Sequence, residues 1–279
     1  MNNNSAGTTM NIAELQEALE KVQCALDLTR KIVGISFLFD PDEFDRADAR
    51  PPAARMPYCV MVKRAMLGNS IKAVAEDFGC RASARALGII EADEFFSSGR
   101  HYQRLGLYRD LIVAKNIRQN MTICQHRAYG VMVKPLEAYT HAPDVVLLVC
   151  TPYQAMRVVQ SYTYQFGYHT TFKMSGNQAI CSECTAYPFE SNSINISMLC
   201  AGTRFMAGWG DDELAIGLPF NHFLPIVDGL YATLNPTEPD RKKARIEARL
   251  VERQRQDLVV EYGRNYYSGL YLTQKGTAK

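Results

Sequence analysis

The pattern of apolar and polar residues divides the chain into helical and extended segments. Between Ile12 and Leu26, apolar residues recur at steps of three and four, which predicts an amphipathic helix over residues 11–31. Continuous apolar stretches bounded by Pro, Gly and Asp predict buried strands. The predicted strands cover residues 32–39, 71–75, 130–135, 144–150, 170–174, 194–199 and 213–218.

Further helices are predicted between these strands, which sets the fold class. They cover residues 59–67, 81–87, 106–118, 152–166 and 223–234. This mixture predicts an α/β or α+β fold with a mixed sheet covered by helices. Residues 241–256 are dense in Arg, Lys, Glu and Gln with a thin apolar stripe, which predicts a charged, solvated helix near the C-terminus.

The same pattern suggests a domain organisation. Residues 1–10 are polar and are expected to form a disordered N-terminal tail. We expect residues 11–236 to form a single α/β domain, because no linker or repeat interrupts them. Residues 237–279, which begin at a proline-rich stop, are expected to form the charged helix and a tail.

Composition and charge narrow the classes of function. The 279 residues carry a net charge of only +2, which gives no global attraction toward nucleic acid. No apolar stretch reaches the ~18 residues of a membrane span, and the N-terminus has no signal-peptide pattern. We therefore expect a cytoplasmic protein that binds neither nucleic acid nor membranes.

Eight cysteines are the unusual feature of the sequence. They are Cys24, Cys59, Cys80, Cys124, Cys150, Cys181, Cys184 and Cys200. In a reducing cytosol, thiols are more often metal-bound, catalytic or buried than paired in disulfides. Iron–sulfur clusters and structural zinc both need about four thiolates. The chain contains one C-x-x-C pair, so spacing alone leaves a metal centre, a redox pair and inert buried thiols open.

The local surroundings of several cysteines suit a metal site. Cys59 and Cys80 stand at the starts of predicted helices, where backbone amides favour negative charge on sulfur. Cys200 precedes a glycine after a predicted strand, and Cys181 with Cys184 forms the C-x-x-C pair. Cys124 is a further candidate ligand.

Several segments together resemble a known family. These segments are Cys59 with Lys63, Ala65 and Gly68; Gly79-Cys80 with Ala86-Leu87-Gly88; Val133-Lys134-Pro135-Leu136; Pro143-Asp144-Val145-Val146; Pro152-Tyr153-Gln154-Ala155-Met156; Ala179-Ile180-Cys181-Ser182-Glu183; Leu199-Cys200-Ala201-Gly202-Thr203-Arg204; Asp211-Asp212-Glu213-Leu214; and Gly217-Leu218-Pro219. In order and spacing they resemble the uncharacterised prokaryotic family called domain of unknown function 169, common in archaea and anaerobic bacteria. The resemblance covers about residues 12–234.

The resemblance implies no activity, but it sorts the cysteines. Cys59, Cys80, Cys181 and Cys200 fall on family-type positions, and four is the number that one cubane cluster requires. We therefore expect these four to bind a 4Fe-4S cluster, with zinc as the alternative metal. Cys184 is an alternative ligand to Cys181, so which of the two binds the metal stays open.

Three hypotheses of function follow from this expected metal centre. The first is an iron–sulfur enzyme, a redox or lyase-type catalyst acting on a small organic substrate in anaerobic metabolism. In it, Glu183 is a candidate acid–base group and Arg204 a candidate ligand for a substrate carboxylate or phosphate. The others are a non-catalytic electron-transfer or ligand-binding module working with a partner protein, and a zinc-stabilised protein. A homo-oligomer is compatible with each.

Overall fold

The structure is a computed structural model that describes residues 10–255 and 257–266. Residues 1–9 of the tail predicted over 1–10, residue 256 and the end of the chain from 267 lie outside the described residues. The strands are β1 (Val33–Leu38), β2 (Ile71–Val74), β3 (Gly130–Pro135), β4 (Val145–Cys150), β5 (Asn195–Ser197) and β6 (Leu214–Pro219).

Helices make up most of the remaining regular structure. The α-helices are α1 (Ile12–Leu26), α2 (Pro41–Arg46), α3 (Tyr58–Met66), α4 (Arg81–Ala86), α5 (Glu94–Ser97), α6 (Arg100–Arg104), α7 (Leu111–Asn120), α8 (Pro152–Phe166), α9 (Tyr187–Ser191), α10 (Ala201–Ala207), α11 (Phe223–Ala232), α12 (Leu234–Thr237) and α13 (Asp240–Glu252). Residues Ala179–Ala186 form a π-helix. In the described part of the chain, no helix is both long enough and apolar enough to cross a bilayer.

The described strands form one six-stranded sheet in the order β2-β3-β1-β4-β6-β5. Each pairing between these strands is antiparallel. The α/β or α+β class is thus confirmed, and the antiparallel pairing places the fold on the α+β side. The charged helix near the C-terminus is also confirmed, as α13.

The residues group into two compact units. The first takes in Arg30–Pro152 and Thr171–Phe220, and so contains the whole sheet. The second combines Met10–Thr29, Tyr153–Thr170 and the described residues from Asn221 onward. The single domain over residues 11–236 stays a prediction.

One face of the sheet carries the main core of the first unit. Val33, Ile35 and Phe37 alternate along β1 and point to this face, as the period of two in a strand requires. Helix α3 and the π-helix pack against it and share its apolar cluster. The core therefore fixes the positions of both elements, each of which carries a cysteine singled out from the sequence.

The second unit is helical and contains a buried ion pair. The guanidinium Nε of Arg157 lies 2.9 Å from a carboxylate oxygen of Glu238, and both side chains are 3% exposed. Arg157 also donates to the carbonyl of Leu230 at 2.8 Å. Because a buried charge is costly without partners, these contacts make the pair tolerable inside the unit.

Two local predictions were wrong for identifiable reasons. Helix α1 ends at Leu26, because Asp27 adopts a left-handed conformation (φ 54°) that closes the helix. No strand forms over residues 170–174. The backbone of Lys173 instead pairs with the side-chain amide of Asn195, through bonds of 2.9 and 2.8 Å. A side chain thus takes the place of a strand partner.

Asp144, which precedes β4, is expected to make stability depend on pH. Its carboxylate accepts the Phe37 N–H at 2.7 Å, but burial raises its pKa to about 6. The folded chain therefore holds this proton more tightly than the unfolded chain does. Stability from the protonated group is present below pH ~4 and is lost as the pH rises toward about 6, by on the order of 2 kcal/mol.

Asp144→Asn removes this titration. As the pH rises from 4 to 7, the wild type loses the stability linked to this proton and the variant does not. The difference in the free energy of unfolding should therefore change in favour of the variant by on the order of 2 kcal/mol. Urea unfolding at several pH values measures the difference. A difference that is constant over this range would show that Asp144 titrates normally in the folded chain.

Candidate functional site

Three of the predicted ligand cysteines stand at helix starts. Cys80 is the N-cap of α4 and Cys200 the N-cap of α10, where its sulfur accepts the Thr203 N–H at 3.4 Å. Cys59 is the second residue of α3, beside Cys80 and Cys200 in the lining of the same cavity. The Cys200 sulfur therefore caps its own helix, whereas the Cys80 sulfur makes no capping hydrogen bond within the described residues.

The fourth predicted ligand, Cys181, lies in the buried π-helix. Gln178 precedes this helix with a left-handed backbone (φ 51°), an unusual conformation for a residue other than glycine. Its side-chain amide donates to the Ala82 carbonyl at 2.8 Å and contacts the Cys181 sulfur at 3.9 Å. The amide oxygen accepts the hydroxyl of Tyr102. This network links Cys181 to α4, the helix that begins at Cys80.

The four cysteines line one cavity of about 470 Å³, called here the cysteine cavity. They come from four separate elements and are remote along the chain. Besides the cysteines, its lining includes Arg81, Arg85, His101, Phe95 and Leu105. The structure thus brings together the residues that the sequence singled out.

The four thiols influence one another electrostatically. Burial raises the pKa of Cys59 to about 11, and charge on Cys200 and Cys80 adds to the rise. The pKa of Cys181 is raised further, first by burial and then by the thiolates of the other three. Without a compensating cation, the thiols of Cys59 and Cys181 are therefore protonated at neutral pH. A bound metal centre would offset the repulsion and release the protons.

Two competing cysteines lie outside this cavity. Cys184 is buried in the same π-helix, but its backbone carbonyl faces Gly217 of β6, and burial raises the pKa of its thiol. Cys124 is buried near the C-terminal end of α4, where its N–H donates to the Ala86 carbonyl at 2.8 Å. Neither lines the cysteine cavity. The geometry therefore favours Cys181 as the fourth ligand.

The two predicted catalytic residues also lie apart from the cysteine cavity. Glu183 lines a separate cavity of about 70 Å³, accepts the Ser175 N–H at 2.7 Å, and has its pKa raised by burial. Arg204 donates to the carbonyls of Met198 and Glu213 at 2.9 Å each, and to that of Gly210. Their catalytic roles stay predictions, and the contacts of both are structural.

Sequence reasoning missed the other polar residues of the cavity. Arg81 and Arg85 are one helical turn apart and directly follow Cys80, so their spacing was a readable signal. Burial and the nearby charge of Arg85 lower the pKa of His101. Gln178 gave no signal, because its role depends on the turn of the chain into the π-helix.

Comparisons with known proteins give a family but no activity. The sequence model of the uncharacterised ArCR family, domain of unknown function 169, matches residues 21–229. The uncharacterized protein MJ0308 of Methanocaldococcus jannaschii is 23% identical over 223 residues, which cover 79% of this chain and 95% of that protein. No solved structure matches the chain.

Proposed function

Because the chain belongs to the uncharacterised ArCR family, domain of unknown function 169, whose description assigns no activity, we propose its function from the arrangement of its cysteines. The proposal is an iron–sulfur protein that holds a 4Fe-4S cluster at Cys59, Cys80, Cys181 and Cys200. One observation carries it: four cysteines from separate elements line the same cavity.

A four-iron cluster requires less close contact between its cysteine sulfurs than a single metal ion does. In the described part of the chain, no group of three or more His, Cys, Asp and Glu side chains is arranged to hold a metal ion. Zinc binds four sulfurs at about 2.3 Å, which forces those sulfurs into mutual contact. A four-iron cubane cluster binds each cysteine sulfur through a different iron atom. The four sulfurs around it therefore lie farther apart than those around a zinc ion. For this reason the proposal is a cluster rather than zinc at the four thiols that line the cavity.

The surroundings of the sulfurs also fit a cluster. The Cys200 sulfur accepts the Thr203 N–H at 3.4 Å, and the side-chain amide of Gln178 contacts the Cys181 sulfur at 3.9 Å. Such hydrogen bonds stabilise negative charge on thiolate ligands. When bound, the cluster supplies one-electron transfer. The adjoining cavity favours a redox or lyase-type enzyme acting on a small organic molecule over a non-catalytic electron-transfer module.

Anaerobic reconstitution of the full chain with ferrous iron and sulfide tests this proposal. We expect about four iron and four sulfide per chain and a brown protein with a broad absorption near ~400 nm that bleaches in air. Elemental analysis of the protein purified without air separates iron from zinc. Stoichiometric zinc without sulfide, or no metal after reconstitution, would overturn the proposal.

Gln178 is expected to tune the reduction potential of this cluster. Its amide Nε2 contacts the Cys181 sulfur at 3.9 Å, and donors near ligand sulfurs stabilise the more negative, reduced cluster. Gln178→Met keeps the size of the side chain but removes the donor, so the reduction potential should fall while the iron content stays unchanged. A potentiometric titration followed by electron paramagnetic resonance measures this potential.

The matched control for this measurement is Gln125→Met. The Gln125 side chain is exposed and donates to the Ile123 carbonyl two residues away. Its variant should keep the wild-type potential. A fully loaded Gln178→Met protein with the wild-type potential would show that the amide does not act on the cluster.

A further inference from the structure

The volume of the cysteine cavity exceeds what its four cysteine thiols need. Its volume of about 470 Å³, part of which the proposed cluster would fill, lies within the range of small-molecule pockets, roughly 300–1,000 Å³. Much of its lining has no part in holding a metal centre, including Phe95 and Leu105. The cavity thus offers space for a second, organic occupant beside the sulfurs.

Apolar side chains dominate the rest of the lining. Phe95, Leu105 and Met206 all line the cavity, yet they are 43%, 46% and 41% exposed. Large apolar side chains that stay exposed around one cavity are typical of a ligand site, because a ligand removes them from water. The body of the ligand is therefore expected to be apolar.

The charged residues of the lining are all basic. These are Arg81 and Arg85, which lie at i and i+4 on α4 and so share the face that borders the cavity; the neutral imidazole of His101 borders it from α6. Among the cavity-lining residues that the structure describes, none is Asp or Glu. The polar end of the ligand is therefore expected to be an anion.

Arg85 is the best-placed group to bind that anion. Its guanidinium is held in place by an ion pair with Asp93 and by the ring of Phe96, whose centroid lies 5.2 Å away. Within the described chain, its Nε–H is buried and has no hydrogen-bond partner. That atom is out of reach of a ligand, so a carboxylate would bind through the outer N–H groups of the planar guanidinium, whose geometry matches two carboxylate oxygens.

We propose that the cysteine cavity binds a small organic carboxylate with an apolar body, and that Arg85 binds its carboxylate group. The inference deepens the proposed function, on which it rests for the cluster beside the ligand. A carboxylate fits better than a phosphate ester, because the cavity pairs the guanidinium of Arg85 with a largely apolar wall.

Isothermal titration calorimetry on the anaerobically reconstituted full chain tests the proposal. The probes are phenylacetate and isovalerate, with neutral phenylacetamide and inorganic phosphate for comparison. We expect at least one of the carboxylates to bind with a Kd of about 1 mM or tighter, and both comparison compounds to bind at least about tenfold more weakly. Arg85→Met should weaken carboxylate binding about tenfold or more while the iron content stays at the wild-type level.

Two further variants separate this effect from a general disturbance. Arg109→Met removes an arginine that is 83% exposed and paired with its neighbour Asp110, and it should bind as the wild type does. Asp93→Asn retains Arg85 and keeps a capping oxygen for the Phe96 N–H, but removes the competing charge. Its affinity for the carboxylate should equal or exceed that of the wild type.

The outcomes distinguish this inference from the proposed function. An iron-loaded chain that binds neither carboxylate, that binds phenylacetamide or phosphate equally well, or whose affinity survives Arg85→Met overturns the inference alone. A chain that takes up no iron overturns the proposed function. The same titrations on that iron-free chain then decide carboxylate binding independently.

Discussion

Replacing any one of the four cavity cysteines by alanine is expected to reduce the iron content of the reconstituted protein from about four atoms per chain to near zero. Each cysteine holds a different corner of the proposed cluster, and each comes from a different element, so no neighbouring thiol of the cavity can substitute. The four variants are Cys59→Ala, Cys80→Ala, Cys181→Ala and Cys200→Ala. Iron and sulfide analysis, with absorption spectra recorded anaerobically, measures the loss.

Cys184→Ala and Cys124→Ala are the matched controls for these variants. Both cysteines are at least as buried as the proposed ligands but do not line the cavity. Alanine at either position leaves a small void, which costs stability but not iron. Wild-type iron in both Cys59→Ala and Cys80→Ala would end the cluster assignment. Loss of iron from Cys184→Ala, with Cys181→Ala unaffected, would move the fourth ligand to Cys184.

The secondary structure was predictable where local pattern and tertiary packing agree. The apolar stretch of β4 and the periodic helix α8 were both located from sequence, because burial on a face sets their residue spacing. The strand order and the antiparallel pairing were not, since they depend on contacts between segments remote in sequence. At residues 170–174 the apolar pattern misled, because the Asn195 side chain satisfies that backbone.

The sequence allowed us to predict which cysteines belong to the candidate site, but not the local structure that holds them. The convergence of the four cysteines follows the family positions of Cys59, Cys80, Cys181 and Cys200 rather than their spacing. Nothing in the sequence indicated that Cys181 and Cys184 lie in a π-helix, whose wider winding directs the two cysteines to different surroundings. Glu183 and Arg204 were chosen for their chemistry and closeness in sequence to a cysteine, and both point to structural partners instead.

The packing of the π-helix on the sheet gives the second large prediction, at Gly217. A Cβ atom at this position of β6 would lie 2.0 Å from the carbonyl oxygen of Cys184 and 2.6 Å from its carbon. Both obstacles are backbone atoms, so no change of rotamer relieves the overlap, and either β6 or the π-helix has to move. Gly217→Ala should therefore lower the free energy of unfolding by about 3 kcal/mol or more, at the upper end of overpacking effects.

The same displacement should reach the metal site, because Cys181 and Cys184 belong to one π-helix. We expect Gly217→Ala to lose most of its iron even where circular dichroism shows that the chain is folded. Gly202→Ala is the control: the nearest atom to its added Cβ is Met206 Cε at 3.6 Å, and alanine suits the helix α10. That variant should keep its iron and match or exceed the wild-type stability. Equal iron and equal stability in Gly217→Ala would show that the strand and the π-helix are not in the close contact on which the position of Cys181 depends.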